Sequence, residues 1–531
     1  MDGTGRFSSV SYHGTGRIFS SDRSRVETGH SDAIRKSGFI QSPAGRRLIG
    51  WFLLTLVTVP VALAQRADRP NVLIIFSDDQ RADAVGAHGN TYIRTPSLDA
   101  LAQRGFSFRR AYVMGSHHGA VCAPSRAMLM TGRNLFRVYD NLDSLDTFPQ
   151  RLQDVGYETF GTGKWHQSRA SFARSFEHGK NVFFGGMNDH FQTHMSDRLA
   201  DGTFTDPEPE GFSTTHFADA AINFIQDHAA KGSGAPFLAY IAFTAPHDPR
   251  SPPESFVDLY SGEGMPLPPN YMAVHPFDLG TMSMAVRDEH LAPWPRPPEM
   301  IRSQIADYYG LITHMDAEIG RILEALQQTG LSDNTIVVFA ADNGLGLGSH
   351  GIMGKQSLYE HSTHVPLIVA GPGIPHGESD ALSYLYDLTP TILNLTGSAE
   401  LPRMDGRDLS PVWQGERQTV RETLFTAFYD TQRAIRDGRW KLIRYPRIHF
   451  TQLFDLANDP FELHNLAEKV EHEQRVADMM HLLEKWQARM GDPKPLAADE
   501  KEPMAFDYDR IERRPDRWQP EWVLERYFRD D

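Results

Sequence analysis

Residues 71–79 read Asn-Val-Leu-Ile-Ile-Phe-Ser-Asp-Asp. Five consecutive apolar side chains leave no polar face, so a strand here must be covered on both sides, as a parallel strand of an α/β sheet is. The carboxylates that close the run then fall at the carboxyl end of the strand, where open parallel sheets bind their ligands. Downstream, Thr95, Pro96 and the stretch SLDALAQR up to Gly105 carry an N-cap, a proline at the first helical position and a glycine stop, which predicts a crossover helix. The runs FLAYIAF (237–243), TIVVFA (335–340) and PLIVA (366–370) repeat the strand pattern, and an amphipathic segment from Gln304 to Gln328 precedes the second of them. This alternation predicts an α/β fold with a central, mostly parallel sheet flanked by helices.

Near residue 418 the texture changes. LFTAFY, RAIRDG, RWKLIRY and QLFDL are short strand patterns, Asp437-Gly438 is a hairpin turn signal, and an apolar period runs from Val476 to Trp486. They predict a smaller C-terminal antiparallel sheet with one helix on it, followed by a polar tail after Gly491. At the other end, residues 1–45 are rich in Ser, Gly and Arg without apolar period and are left out of the fold. Arg46-Arg47, the apolar stretch Leu48 to Leu63 and the small residues Ala62 and Ala64 have the order of a secretory signal cleaved after Ala64. The stretch is short for a membrane span and is interrupted by Pro60. The expected organisation is 1–64 as extension and signal, 65–417 as the catalytic α/β domain and 418–531 as the C-terminal subdomain, in an exported, periplasmic or secreted protein with no stable membrane span after cleavage.

The chain has 531 residues, 40% of them apolar, enough for a large core in one major and one smaller unit. Its formal charge of −15 comes without a basic run, which excludes nucleic acid as a partner. An acidic protein that handles an anion has to gather its Arg, Lys and His side chains locally. With a single cysteine, Cys122, an internal disulfide is excluded, and that residue is either an inert buried thiol or a chemical group.

Four places carry candidate chemistry. Asp78-Asp79 and Asp342-Asn343 each end a strand; if they meet, they form an oxygen-rich site for Ca²⁺ or Mg²⁺, although on spacing alone they also read as turn residues. Cys122 lies in VCAPSRAMLMTGR, where Pro124 opens a helix whose free N–H groups and Arg126 favour an anion. In GTGKWH (161–166), an extended chain would point Lys164 and His166 to one face. His247 in APHDP and Lys355 in MGKQSLYE follow strands too. Each taken alone is an ordinary solvated loop residue; four past strand ends suggest one anion pocket. The Pro-rich loops 246–253 and 292–298 are expected to border it. His117, His118, His190, His194 and His364 stay outside the candidate set.

Cys122-Ala123-Pro124-Ser125-Arg126 followed by Thr131-Gly132-Arg133 resembles the signature of the formylglycine-dependent sulfatases, C-x-P-S-R with a later T-G-R. Asp78-Asp79, GKWH, Pro246-His247, Asp342-Asn343-Gly344 and the GK…YE stretch 354–360 match in order, and the likeness extends from about Asn71 to Leu466. The resemblance implies an alkaline phosphatase-like fold and oxidation of Cys122 to formylglycine by a formylglycine-generating enzyme during export. It implies Ca²⁺, or Mg²⁺, held by Asp78, Asp79, Asp342, Asn343 and an oxygen of residue 122. It also implies a gem-diol that attacks the sulfur of a sulfated small molecule or oligosaccharide, with Arg126, Lys164 and Lys355 stabilising the sulfuryl oxygens. His247, with Lys355, would protonate the leaving alcohol, and His166 would take the proton that restores the aldehyde. Two other readings remain at this stage: a phosphonate or phosphodiester hydrolase of similar fold, and a non-catalytic binder of sulfated glycans.

Overall fold

The computed structural model describes residues 69–139, 141–209 and 211–528. The expected secretory signal and the extension before it lie outside the described residues. In chain order the main elements are β1 (Asn71–Ser77), α1 (Pro96–Arg104), β2 (Phe106–Phe108), α2 (Cys122–Thr131), β3 (Glu158–Lys164), β4 (His178–Phe183), α3 (Ser213–Lys231), β5 (Phe237–Ala242), α4 (Pro298–Gln328), β6 (Thr335–Ala341), β7 (Leu367–Ala370) and β8 (Gly377–Ser379). After these come β9 (Leu424–Phe428), β10 (Gln432–Arg436), β11 (Trp440–Tyr445), β12 (Phe450–Asp455) and α5 (Glu473–Met490).

The first eight strands form one sheet in the order β8-β2-β7-β6-β1-β5-β3-β4. Only β7 runs against its neighbours, so the sheet is mostly parallel, as the unbroken apolar runs predict. In β1, Val72, Ile74 and Phe76 enter one core layer with Met128 and Leu129 of α2, while Leu73 and Ile75 enter the other with Leu98 of α1, Phe217 of α3 and Ile319 of α4. Each buried side chain of this size contributes roughly 1.5–3 kcal/mol, so β1 is anchored from both faces and its end is a fixed point.

Helix α1 forms where expected but is capped differently. The carboxylate of Asp316 in α4 accepts from the N–H groups of Ser97 (2.9 Å) and Leu98 (2.8 Å), while Thr95 Oγ1 accepts from Gly86 N at 2.8 Å. Gly105 ends the helix in extended conformation, φ −122°.

Strands β9 to β12 are antiparallel neighbours, and α5 covers them with Met479, Leu483 and Trp486 buried. The Asp437 carboxylate shapes the β10–β11 hairpin by accepting from Arg439 N (2.7 Å) and Trp440 N (2.6 Å). A two-residue strand, Gly115–Ser116, pairs in parallel with β9. The segment just before Cys122 therefore completes the small sheet. Among the described residues no helix is long and apolar enough to cross a membrane.

Candidate active site

Register assembles the site. Strands β1 and β6 pair from Asn71 with Thr335 to Ser77 with Ala341, so Asp78-Asp79 and Asp342-Asn343 leave neighbouring strands at the same level. Asp79 turns away with φ +67°, a conformation that costs a non-glycine residue of order 1 kcal/mol or more. Its carbonyl accepts from Tyr308 OH at 2.7 Å, and its N–H donates to Asp342 Oδ1 at 3.1 Å. On the other side of β1, strand β5 pairs with it up to Phe76 and Ala242, and β3 pairs with β5 up to Gly163 and Ala242. Gly163 has φ +85°, and a Cβ there would lie 1.9 Å from Ala242 O. Glycine thus permits the approach that delivers Lys164.

Helix α2 begins at Cys122, which is 2% exposed. Its Sγ lies 3.2 Å from Asp78 Oδ1, 3.7 Å from Asp79 Oδ1 and 3.3 Å from Lys355 Nζ. Burial, followed by the charges of Asp342 and Asp78, pushes the thiol well above its ordinary range. An unmodified thiol here stays protonated, which makes it a poor nucleophile.

Each carboxylate has a cation of its own. Lys164 Nζ donates to Asp78 Oδ2, Lys355 Nζ to both oxygens of Asp79 at 2.7 Å, and Arg126 Nε to Asp342 Oδ2 at 3.0 Å, with Nη2 2.8 Å from the same oxygen as an ion pair. Burial and the charge of Asp342 push Asp78 up to about 7. For Asp342 burial acts in the same direction, but Arg126, Lys164 and Lys355 outweigh it and hold the carboxyl below its usual range. Arg126 is 1% exposed, and its Nη1 donates to Lys164 O at 2.6 Å. It is thus placed behind Asp342 and ties the end of β3 to that carboxylate.

These groups also test the fit to a cation. The sum of three carboxylates, two lysines and one arginine is neutral, so crowding alone does not require a metal. The carboxylates of Asp78 and Asp79 suit a hard cation; their ligand atoms lie within 4.8 Å of each other and of Cys122 Sγ and a His247 ring nitrogen, which are softer donors. Asn343 adds an amide whose Nδ2 donates to Asp79 Oδ1 at 2.5 Å, while its buried Oδ1 has no partner. A buried acceptor without a donor is costly; with the amide turned over, that oxygen would face Asp79 and suit a divalent cation.

A cavity of about 260 Å³ opens over residue 122, lined by Cys122, His166, His247 and Lys355 together with Met187, Arg287, Asp288 and Gln356. His166 reaches it by a different route from the one its spacing suggests. Strand β3 ends at Lys164, and His166 has φ +56°; its ring packs against Gly186, and its Nδ1 is buried without a partner. His247 Nδ1 donates to Asp248 O at 2.8 Å, which leaves Nε2, 3.5 Å from Asp79 Oδ2, as the free nitrogen. Burial and then Lys164 lower the His166 pKa; burial and then Lys355 lower that of His247. Both rings are neutral and able to accept a proton.

Several residues of the site had no signal in the sequence. Glu289 accepts from Gly354 N at 2.8 Å and from Met353 N at 3.1 Å, which fixes the loop that carries Lys355. Buried Arg296, within the Pro-rich loop 292–298, donates to Glu289 in turn. His190, outside the candidate set, is buried beneath His247 and has Nε2 2.9 Å from His247 O. Polar loop residues follow no period, so only the folded chain reveals them. His364 lines a different cavity and has Nε2 2.7 Å from Arg109 O. His117 has Nε2 3.1 Å from Leu135 O.

A mostly parallel, doubly covered sheet with a cysteine, carboxylates, lysines and histidines gathered past the ends of its strands defines an α/β protein with its ligand site at the carboxyl ends of the strands. The family model for sulfatases matches residues 70–398, and that for the C-terminal region of N-sulphoglucosamine sulphohydrolase matches 348–489. The chain belongs to the sulfatase family and is a sulfuric ester hydrolase. It is 27% identical over 537 aligned residues to an N-acetylglucosamine-6-O-sulfatase of Bacteroides thetaiotaomicron, covering 86% of this chain and 92% of that protein. It is 29% identical over 437 residues to a choline-sulfatase of Rhizobium meliloti, covering 75% and 83%. A structure solved with its substrate D-glucosamine-2-N,6-O-disulfate superimposes with a TM-score of 0.68 at 25% identity, covering 81% and 99%. A phosphonate monoester hydrolase of Agrobacterium radiobacter shares the fold, with a TM-score of 0.64 at 22% identity, covering 80% and 96%.

Proposed function

We propose that this chain hydrolyses a sulfate ester of a carbohydrate, with formylglycine at position 122 and one calcium ion, magnesium being the alternative. The observation that carries the reading is the convergence on residue 122 of Asp78, Asp79, Lys164, Lys355 and His247 under one cavity. Asp78, Asp79, Asp342 and Asn343 would hold the cation with an oxygen of residue 122. The cation would supply positive charge, and the formylglycine hydrate a pair of geminal hydroxyls. The chain's own charges at the site cancel, so a bound dication leaves a surplus that suits the doubly negative assembly of sulfate monoester and ionised hydroxyl.

Lys355 lines the cavity and meets the sulfuryl oxygens, while Lys164 acts from below through Asp78 and Arg126 through Asp342. His247 has its Nδ1 proton committed to Asp248 O, so Nε2 starts unprotonated; it would take the proton of the attacking hydroxyl and then deliver it to the leaving alcohol. His166 also lines the cavity and would take the proton released when the aldehyde is restored. Because Cys122 is buried in a helix, a formylglycine-generating enzyme would have to oxidise it before this segment folds. The carbohydrate reading is supported by the names of the relatives. Export is part of the proposal and rests on the sequence alone.

The test is sulfate release by purified, converted enzyme from a panel of sulfated sugars, choline sulfate and an aryl sulfate, with an aryl phosphonate alongside. Sugar sulfates are expected to give the highest kcat/KM. Faster phosphonate turnover would make the chain a phosphonate hydrolase, and binding without any turnover would make it a glycan-binding protein.

A further inference from the structure

The polar tail after α5 reads in sequence as an appendage, and the match to the C-terminal family model stops at residue 489. In the fold it runs back to the cavity. Asp278 N donates to Met504 O at 2.7 Å, Tyr508 OH to His275 O at 3.1 Å and Arg513 Nε to His290 O at 2.7 Å. These contacts lead the tail to Asp516 and Gln519, which touch the cavity wall. Arg287 Nη1 donates to Asp516 Oδ2 at 3.2 Å and also to Asp248 Oδ2; its Nη2 donates to Asp248 Oδ1 at 3.0 Å and to Asp288. Gln519 Nε2 donates to Asp248 Oδ2 and Asp516 Oδ2, both at 3.3 Å. Asp248 in turn holds His247, its carbonyl 2.8 Å and its Oδ1 3.2 Å from Nδ1.

We propose that Asp516 and Gln519 are positioning residues of the catalytic site: the C-terminal tail fixes the Asp248–Arg287 pair and so holds the His247 imidazole and the Arg287 guanidinium beside residue 122. Arginine has many rotamers, and at 30% side-chain exposure Arg287 is not confined by packing alone. Carboxylates on three sides fix its plane, and one of them comes from the tail. Asp248 is buried, so the Gln519 amide satisfies an oxygen that water does not reach freely. Displacing a proton-transfer group by a fraction of an ångström lowers the rate of the chemical step more than it lowers substrate binding.

The inference rests on the sulfatase reading for its kinetic arm only. In the full-length, converted, calcium-loaded enzyme, the double variant Asp516→Asn/Gln519→Leu is expected to lose about ten- to a hundredfold in kcat, with KM changed less than about threefold. Its melting temperature should stay near that of the Arg526→Ala control, which cuts the tail's separate contact with Asp307. Asp516→Glu should recover part of the kcat. Hydrogen exchange of the backbone at 246–251 and 286–291 should rise in the double variant and not in Arg526→Ala. Wild-type kcat with unchanged exchange would overturn the proposal, and so would a kcat loss that Arg526→Ala reproduces, since the tail would then be a stabilising strap. If the wild type releases sulfate from no ester, the sulfatase reading fails, and the exchange measurement still decides whether the tail clamps His247.

Discussion

Removing the divalent cation should weaken the fold by a small, calculable amount. Each carboxylate at the site already has a cation of the chain, Asp78 with Lys164, Asp79 with Lys355 and Asp342 with Arg126. Chelation therefore exposes no unpaired cluster of like charges, and the loss is limited to the binding free energy. At free Ca²⁺ of about 100 times Kd that is about 2.7 kcal/mol. Unfolding entropy near 2.1 cal/mol/K per residue gives about 1 kcal/mol/K for some 460 folded residues, so the expected fall in Tm is about 3 °C. Differential scanning fluorimetry with and without chelator, and after Ca²⁺ is restored, reads it directly. Asn343→Ala removes the unpartnered Oδ1 and should abolish the calcium-dependent shift, which assigns it to this site rather than to a surface ion. No shift in the wild type would refute the metal site. A collapse of about 10 °C or more would refute the reasoning from paired charges, because the carboxylates would then depend on the metal to coexist.

Further outcomes follow from the same geometry. Chelation should remove sulfate release and Ca²⁺ should restore it, whereas Asp342→Ala, which also releases Arg126, should stay inactive at any Ca²⁺ concentration, checked by released sulfate. His166→Ala should lower kcat about a hundredfold or more while leaving Tm within about 1–2 °C, because its Nδ1 has no partner to lose. Lys164→Ala is fully buried against Asp78 and should cost both activity and about 3 kcal/mol or more of stability, read by denaturant unfolding. Gly163→Ala places a Cβ 1.9 Å from Ala242 O, so it should destabilise by several times the ~1 kcal/mol of an average point substitution and lower activity by displacing Lys164.

The strands were legible because their signal is local and strong. Buried runs such as NVLIIF and TIVVFA have no polar face, and the polar residues that end them mark the level of the site. Which strands are neighbours was not legible, and neither was the register that brings Ser77 level with Ala341. Period-two reasoning pointed to Lys164 and His166 together, yet the strand stops between them and a left-handed residue carries His166 into the cavity. Arg126 looked like an anion ligand; its place behind Asp342 depends on the packing of α2 against two strand ends. Glu289, His190, Asp516 and Gln519 act through hydrogen bonds to residues distant in sequence, and single polar residues in loops have no periodicity to reveal them.

The central claim is that residue 122 acts through two hydroxyls on one carbon, one for attack and one whose proton is lost when sulfate departs. Serine supplies only the first and alanine neither. Intact mass spectrometry of Cys122→Ser and Cys122→Ala after incubation with a sulfate ester, alongside turnover by the converted wild type, separates these cases. The account predicts a single sulfate adduct on the serine variant without further turnover, none on alanine, and a wild-type peptide around residue 122 lighter than its thiol form. Sustained multiple turnover by Cys122→Ser at the wild-type rate would contradict it, because a simple hydroxyl with hydrolysis by water would then suffice.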